Sequence, residues 1–255
     1  FRRVLFRSQG YDITFINTCF ENRKMSYYEH CRYRNFEGVA IVCADYNDPD
    51  VLELMNSDLP VVTIDYVHHN CTAVSSNNIQ GMEDLVKYIY QQGHRKIAYI
   101  HGQENSYVTK DRLASFYRTM DELGLEVPDE YIRTADYLET KEAARQTREI
   151  LNLPDVPTCI IYPDDTALIG GRNVIIEMGL RIPRDISVAG YDGTRISQLL
   201  HPKLTTIRQN TELIGSEAAK RLIGTIEKPR TTLVERVVIE GSLVPGQSVG
   251  KILQK

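Results

Sequence analysis

From Tyr11 onward, short β-branched runs alternate with stretches of helical periodicity, and this alternation restricts the fold more than any other feature of the chain. Ile13–Asn17, Gly38–Cys43, Val61–Asp65, Lys96–Ile100, Thr158–Tyr162 and Ile186–Tyr191 read as strands, being short and rich in valine and isoleucine. Between several of them, apolar residues recur at three- and four-residue steps. Met82, Leu85, Val86 and Ile89 do so before Gly93, and Leu113, Phe116 and Met120 before Gly124. Ala144, Thr147, Ile150 and Leu151 follow, then Leu168, Val174 and Ile175 before Gly179. Each helix is expected to close at or near a glycine, the residue that enters a left-handed cap without strain. Strand–helix alternation of this kind predicts parallel sheets covered by helices on both faces. Ligands of open α/β sheets gather at the carboxyl ends of strands. The informative polar residues are therefore those just past the runs: Asp65, the loop after Gly102, Tyr137, Asp164 with Asp165, and Asp192.

The chain's 255 residues suffice for one large domain or two small ones. A net charge of −4 argues against a surface that grips nucleic-acid phosphates. Cys19, Cys31, Cys43, Cys71 and Cys159 show no paired CxxC spacing and read as reduced, mostly buried thiols of a cytoplasmic protein. His68-His69-Asn70-Cys71 has no second ligand cluster and reads as a polar loop, so neither a metal nor a cofactor is expected. No apolar run approaches the ~20 residues of a membrane span. The opening Phe1–Ser8 has neither an initiator methionine nor a small-residue cleavage site and is not read as a targeting signal. Nucleophile elbow, Walker loop, HExxH and strand-borne GxGxxG motifs are all missing. Paired acids can hydrolyse glycosides, but they bind hydroxyls more simply, so an enzyme is not expected.

Five segments, in order, resemble the LacI/GalR family. Gly93-His94-Arg95-Lys96-Ile97 is similar to its Gly-His-Arg-x-Ile segment, and Gly102 with Arg112-Leu113-Ala114-Ser115-Phe116 to its G…RxxGF stretch. Pro157-Thr158 leading to Asp164-Asp165 resembles the family's Pro-Thr…Asn-Asp. Gly179 through Asp192 follows the Gly-x-x-Val-Pro-x-Asp-x-Ser-Val-x-Gly-x-Asp pattern almost throughout, and Leu204-Thr205-Thr206-Ile207-Arg208-Gln209 matches Leu-Thr-Thr-x-Arg-Gln. The resemblance implies two Rossmann-like lobes of periplasmic-binding-protein type I. Three crossovers are expected, near Val74–Ser76, Gln209–Asn210 and Val238–Glu240. Residues 1–75 with 210–237 would form the N-terminal lobe, and 76–209 with 238–255 the C-terminal one. The family's helix-turn-helix, hinge, first strand and first helix precede the equivalent of Gly10–Ile13, so the N-terminal lobe is expected to lack an inner strand. Two positions depart from the pattern. Asp164 stands where the family commonly has Asn, and Asn77 where it commonly has Asp.

Carried over position by position, the family's effector site falls on Asp65, Ser106, Arg112, Tyr137, Asp164, Asp192 and Gln209. A carboxylate accepts hydrogen bonds from vicinal hydroxyls, and an arginine offers a rigid fork of donors. A tyrosine can cover the apolar face of a sugar ring. Read without the family, Arg112 suits a solvated helix face, Asp136 and Asp164 suit helix N-caps, and Tyr137 suits a core. Three carboxylates against one guanidinium favour a neutral carbohydrate over a sugar phosphate. The implied function is effector sensing in the cleft between the lobes, which alters dimer geometry and operator affinity through the absent DNA-binding domain. The alternative is a periplasmic sugar receptor of a transporter, with the Gly-His-Arg and Leu-Thr-Thr motifs favouring the regulator. Pairing into a homodimer would draw on helices at Asn47–Asn56 and Ile214–Ile226, unless Val51, Leu52, Met55, Ile214, Leu222 and Ile223 face their own sheets.

Overall fold

The structure is a computed structural model that describes residues 10–16, 19–20 and 23–252, with backbone alone for 19–20 and 23–24. The opening stretch 1–8, Asn17 and the Cys19 side chain lie outside the described residues. The chain divides into two compact units, 1–76 with 210–239 and 77–209 with 240–255.

The second unit is built on a six-stranded sheet of order β12-β10-β9-β8-β6-β7 among the described residues. Its strands are β6 (Ile97–His101), β7 (Ile132–Thr134), β8 (Cys159–Ile161), β9 (Ser187–Asp192), β10 (Thr205–Arg208) and β12 (Ser242–Val244). All pair in parallel except β12, which runs antiparallel to β10. Alternate residues of each strand enter opposite cores, as the two-residue period requires. Ile97, Tyr99, Cys159, Ile161, Ala189 and Tyr191 meet Met82, Leu85 and Ile89 of α3 (Asn78–Gln91) and Phe116 and Met120 of α4 (Tyr107–Glu122). Ala98, Ile100, Ile160 and Val188 meet Ala143 and Ile150 of α5 (Thr140–Leu151) and Leu168, Val174 and Ile175 of α6 (Asp165–Glu177). Helices therefore cover both faces, which is why the strands read as unbroken apolar runs.

The first unit carries a parallel sheet of order β11-β5-β4-β3: Arg236–Ile239, Thr72–Ser76, Val61–Ile64 and Val39–Ile41. One face packs on α7 (Thr211–Glu227), the other on α1 (Tyr27–Tyr33) and α2 (Pro49–Met55). β1 (Cys19–Phe20) and β2 (Arg23–Lys24) pair antiparallel.

Two expectations need correction. Residues 11–16 form no strand: Tyr11 and Ile13 pack on one core of the first unit and Ile16 on the other, but the segment joins no ladder. β-branched composition favours extended backbone; a strand also needs a neighbour to hydrogen-bond. Glycine closes α3, α4 and α6, with Gly93, Gly124 and Gly179 all at positive φ, but not α5. There Asn152, at φ −95°, donates back to the carbonyls of Glu149 and Ile150, so the last turn tightens without a left-handed residue. Val51 and Met55 are buried in one core of the first unit, with Leu52 packed against it, and Ile214, Leu222 and Ile223 in the other, so these side chains face their own sheet, the alternative to pairing that the sequence leaves open.

Candidate functional site

The carboxyl ends of β6, β8, β9 and β10 bring Arg112, Tyr137, Asp164, Asp192 and Gln209 together in the second unit. Arg112 lies on the inward face of α4 and is 2% exposed, so it does not occupy the solvated face that helix position alone suggests. A buried guanidinium must be matched by acceptors. Its Nε donates to Asn78 Oδ1 at 2.8 Å and one terminal nitrogen to the Pro163 carbonyl at 2.9 Å. The other terminal nitrogen stands 3.9 Å from Asp192 Oδ1. The group lies over the Tyr191 ring, 3.4 Å from its centroid, and 5.9 Å from that of Tyr137.

Asp192 ends β9 at φ +96°, a conformation rare outside glycine, and the Gln209 side-chain amide donates to its Oδ1. The Gln209 backbone N–H donates to the Asp192 carbonyl at 3.2 Å, joining the ends of β9 and β10. Burial pushes the Asp192 pKa up, while Arg112 and Gln209 pull it back. Tyr137 lies on the loop before α5, its hydroxyl 2.8 Å from Thr109 Oγ1. Its ring rests on Gly102, where a Cβ would come within 2.2 Å of it.

Asp164 combines both readings available from sequence. It sits within the cluster, yet it is the N-cap of α6: Oδ1 accepts from the N–H groups of Thr166 and Ala167, each at 2.8 Å. Its Oδ2 accepts the Leu138 N–H at 2.8 Å, tying the Tyr137 loop to the helix start. Asp136 caps nothing, because the N-cap of α5 is Glu139. Ser106 is the half-buried N-cap residue of α4 and makes no capping hydrogen bond with its side chain. Asp65 belongs to the first unit, past the end of β4 at φ +58°, where its carboxylate accepts the Ser76 N–H at 3.0 Å.

Sequence reasoning missed Asn78 and Tyr191. Asn78 is 34 positions from the arginine it serves, and Tyr191 reads as one more buried strand residue. Asp165, singled out only together with Asp164 and given no role of its own, is fully buried, and burial pushes its pKa up to about 6. Gly190 is small for a packing reason. Asp165 Oδ1 lies over it, and a Cβ there would come within 2.3 Å of that oxygen.

Asn77, the second departure from the family pattern, caps α3 through its Oδ1 and donates its Nδ2 to Glu240 Oε1 at 2.8 Å. An aspartate could not donate to that carboxylate. Among the described residues, no group of three or more His, Cys, Asp or Glu side chains is placed to hold a metal ion. No helix among them is long and apolar enough to cross a membrane.

Residues 86–249 match the family of periplasmic binding protein-like domains. The chain is 30% identical over 227 residues to the HTH-type transcriptional repressor PurR of Actinobacillus pleuropneumoniae, covering 88% of this chain and 67% of that protein. A LacI transcriptional regulator from Bacillus cereus subsp. cytotoxis has the same fold, at a TM-score of 0.89 and 24% identity over 98% of this chain and 89% of that one. The transcriptional regulator CelR in complex with cellobiose gives a TM-score of 0.78 and 26% identity over 88% of this chain and 71% of that one. With five ordered motifs, two parallel-sheet units and a regulator of this kind at 30% identity, the chain belongs to the LacI/GalR family of transcriptional regulators, as its ligand-sensing, periplasmic binding protein-like core.

Proposed function

We propose that the effector is a neutral carbohydrate, held in the second unit by Arg112, Asp192 and Gln209, with Tyr137 against an apolar ring face and Ser106 at the rim. The observation that carries this reading is the 3.9 Å between the Arg112 terminal nitrogen and Asp192 Oδ1. That gap is too wide for a hydrogen bond and suits one hydroxyl, which accepts from the guanidinium and donates to the carboxylate. The other mapped donors of Arg112 are engaged with Asn78 and Pro163, so the guanidinium is already oriented before ligand arrives. Asp164 adds negative charge while its oxygens serve backbone amides, a setting that disfavours an anionic ligand. The relative solved with cellobiose supports a sugar as the ligand class.

In the intact regulator, effector binding is proposed to change the geometry of a homodimer and, through its DNA-binding segment, the affinity for operator DNA. Thermal unfolding against a panel of neutral mono- and disaccharides and their phosphates tests the ligand class. A bound sugar at 100 times its dissociation constant adds about 2.7 kcal/mol of stability. Stabilisation by a phosphorylated sugar in preference to its neutral parent overturns the reading.

A further inference from the structure

Asp165 is the first residue of α6, directly after the N-cap, yet its carboxylate turns away from the helix start. Oδ2 accepts two hydrogen bonds from one residue, from the Thr194 N–H at 2.7 Å and the Thr194 hydroxyl at 2.9 Å. Oδ1 lies over Gly190, and the nearby Thr206 side chain favours the ionised form of the carboxyl. A carboxylate this deep is costly to bury, and capping does not require it, because Asp164 already does that work.

Its partner explains its place. Thr194 follows Asp192 and Gly193, whose φ angles are +96° and +65°. A non-glycine residue at such an angle persists where its surroundings hold it. The Gln209 N–H holds the Asp192 carbonyl on one side, and Thr206 Oγ1 accepts the Gly193 N–H at 3.2 Å. On the other side the two hydrogen bonds from Thr194 to Asp165 close the turn. The backbone at Asp192 decides where its side chain points, and that direction sets both the Gln209 hydrogen bond and the gap to Arg112.

We propose that Asp165 is a positioning residue: it clamps the turn at Thr194 and thereby aims the Asp192 carboxylate. The functional weight of this clamp rests on the reading of Asp192 as the ligand's acceptor, but the clamp itself is testable without ligand. Nuclear magnetic resonance of unliganded protein, with carbon-13 in the aspartate carboxyls and nitrogen-15 in glutamine side chains, reads both ends of the Asp192–Gln209 hydrogen bond. In Asp165→Ala and Thr194→Ala, the Gln209 amide protons are expected to move to the position of a solvent-bonded amide. The Asp192 carboxyl is expected to titrate at a shifted pH. Asp165→Asn retains an acceptor for Thr194 and is expected to restore both signals.

Unchanged Gln209 and Asp192 signals in Thr194→Ala and Asp165→Ala overturn the proposal, even where melting temperature falls. If Asp165→Ala does not fold, Thr194→Ala decides alone. Asp192→Ala, titrated with cellobiose and the sugars of the panel, checks the underlying reading separately. Wild-type affinity there removes the ligand role of Asp192, whereas unmoved resonances in the other variants remove the clamp.

Discussion

Arg112 and Tyr191 stack, with the guanidinium carbon 3.4 Å from the ring centroid, although one comes from a helix and the other from a strand nearly eighty residues away. The ring supports the face of the guanidinium, while Asn78 and the Pro163 carbonyl hold its edge. A planar, delocalised cation suits that slot, and lysine does not replace it. Arg112→Met keeps the volume and removes the charge. It leaves Asn78 and the Pro163 carbonyl without their donor and Asp192 without its nearby positive charge, and should cost about 2–4 kcal/mol of stability as well as ligand binding. Urea unfolding measures this; a loss below about 1 kcal/mol would show that solvent already satisfies those groups.

Gly102→Ala should cost ligand affinity more than stability. The backbone at Gly102 is not left-handed, so alanine fits it, but the new methyl would lie 2.2 Å from the Tyr137 ring. The ring sits on a half-buried loop and can move away, breaking its hydrogen bond to Thr109. Calorimetric titration with the sugar that stabilises wild type should show weaker binding with the melting temperature nearly kept. Unchanged affinity would remove Tyr137 from the site.

The Asp165 carboxyl, pushed up to about 6 by burial, gives stability a definite pH sign. Its folded pKa lies above the ordinary 3.8, so the protonated form is the one folding favours. The stability it contributes is complete below about 4 and is lost as pH rises through about 6. Asp192 faces it with like charge and opposes ionisation further. Asp165→Asn does not titrate, so the stability of wild type relative to this variant should fall by roughly 3 kcal/mol between about pH 4 and 7. A difference that stays flat over that range would place the Asp165 pKa near its ordinary value.

Asn77 and Glu240 should couple. With Glu240 present, Asn77→Asp sets two carboxylates against each other where an amide now donates at 2.8 Å. With Glu240→Gln, aspartate at 77 is as good an N-cap as asparagine and gains from the helix dipole. A double-mutant cycle on unfolding free energy should give a coupling of about 0.5–1 kcal/mol, opposing Asn77→Asp only in the presence of Glu240. Zero coupling at low salt would show that the pair is not formed in solution.

The local pattern of the chain already determined its architecture. Apolar runs of strand length, helical periodicity and glycines at 93, 124 and 179 specify parallel sheets sandwiched by helices, because burial on both faces demands unbroken apolar strands. β5 and β10 escaped that reading because Thr-Ala-Val-Ser-Ser and Thr-Thr-Ile-Arg are too polar to announce a buried strand. The strand-end rule pointed to Asp192, and the family resemblance added Arg112 and Gln209 as candidates.

Tertiary structure alone decided what each of these residues does. Arg112 reads as a solvated helix residue until the fold delivers Asn78, Pro163 and Tyr191 around it, since a guanidinium is buried only where acceptors from other elements meet it. Asp164 and Asp165 are neighbours of the same chemistry with separate duties. One reaches its own helix start, the other a turn 29 residues on, and nothing in two adjacent aspartates says which carboxylate will cap and which will clamp. Such partnerships are set by the register of the sheet and the packing of helices across it, which join residues that local sequence keeps apart.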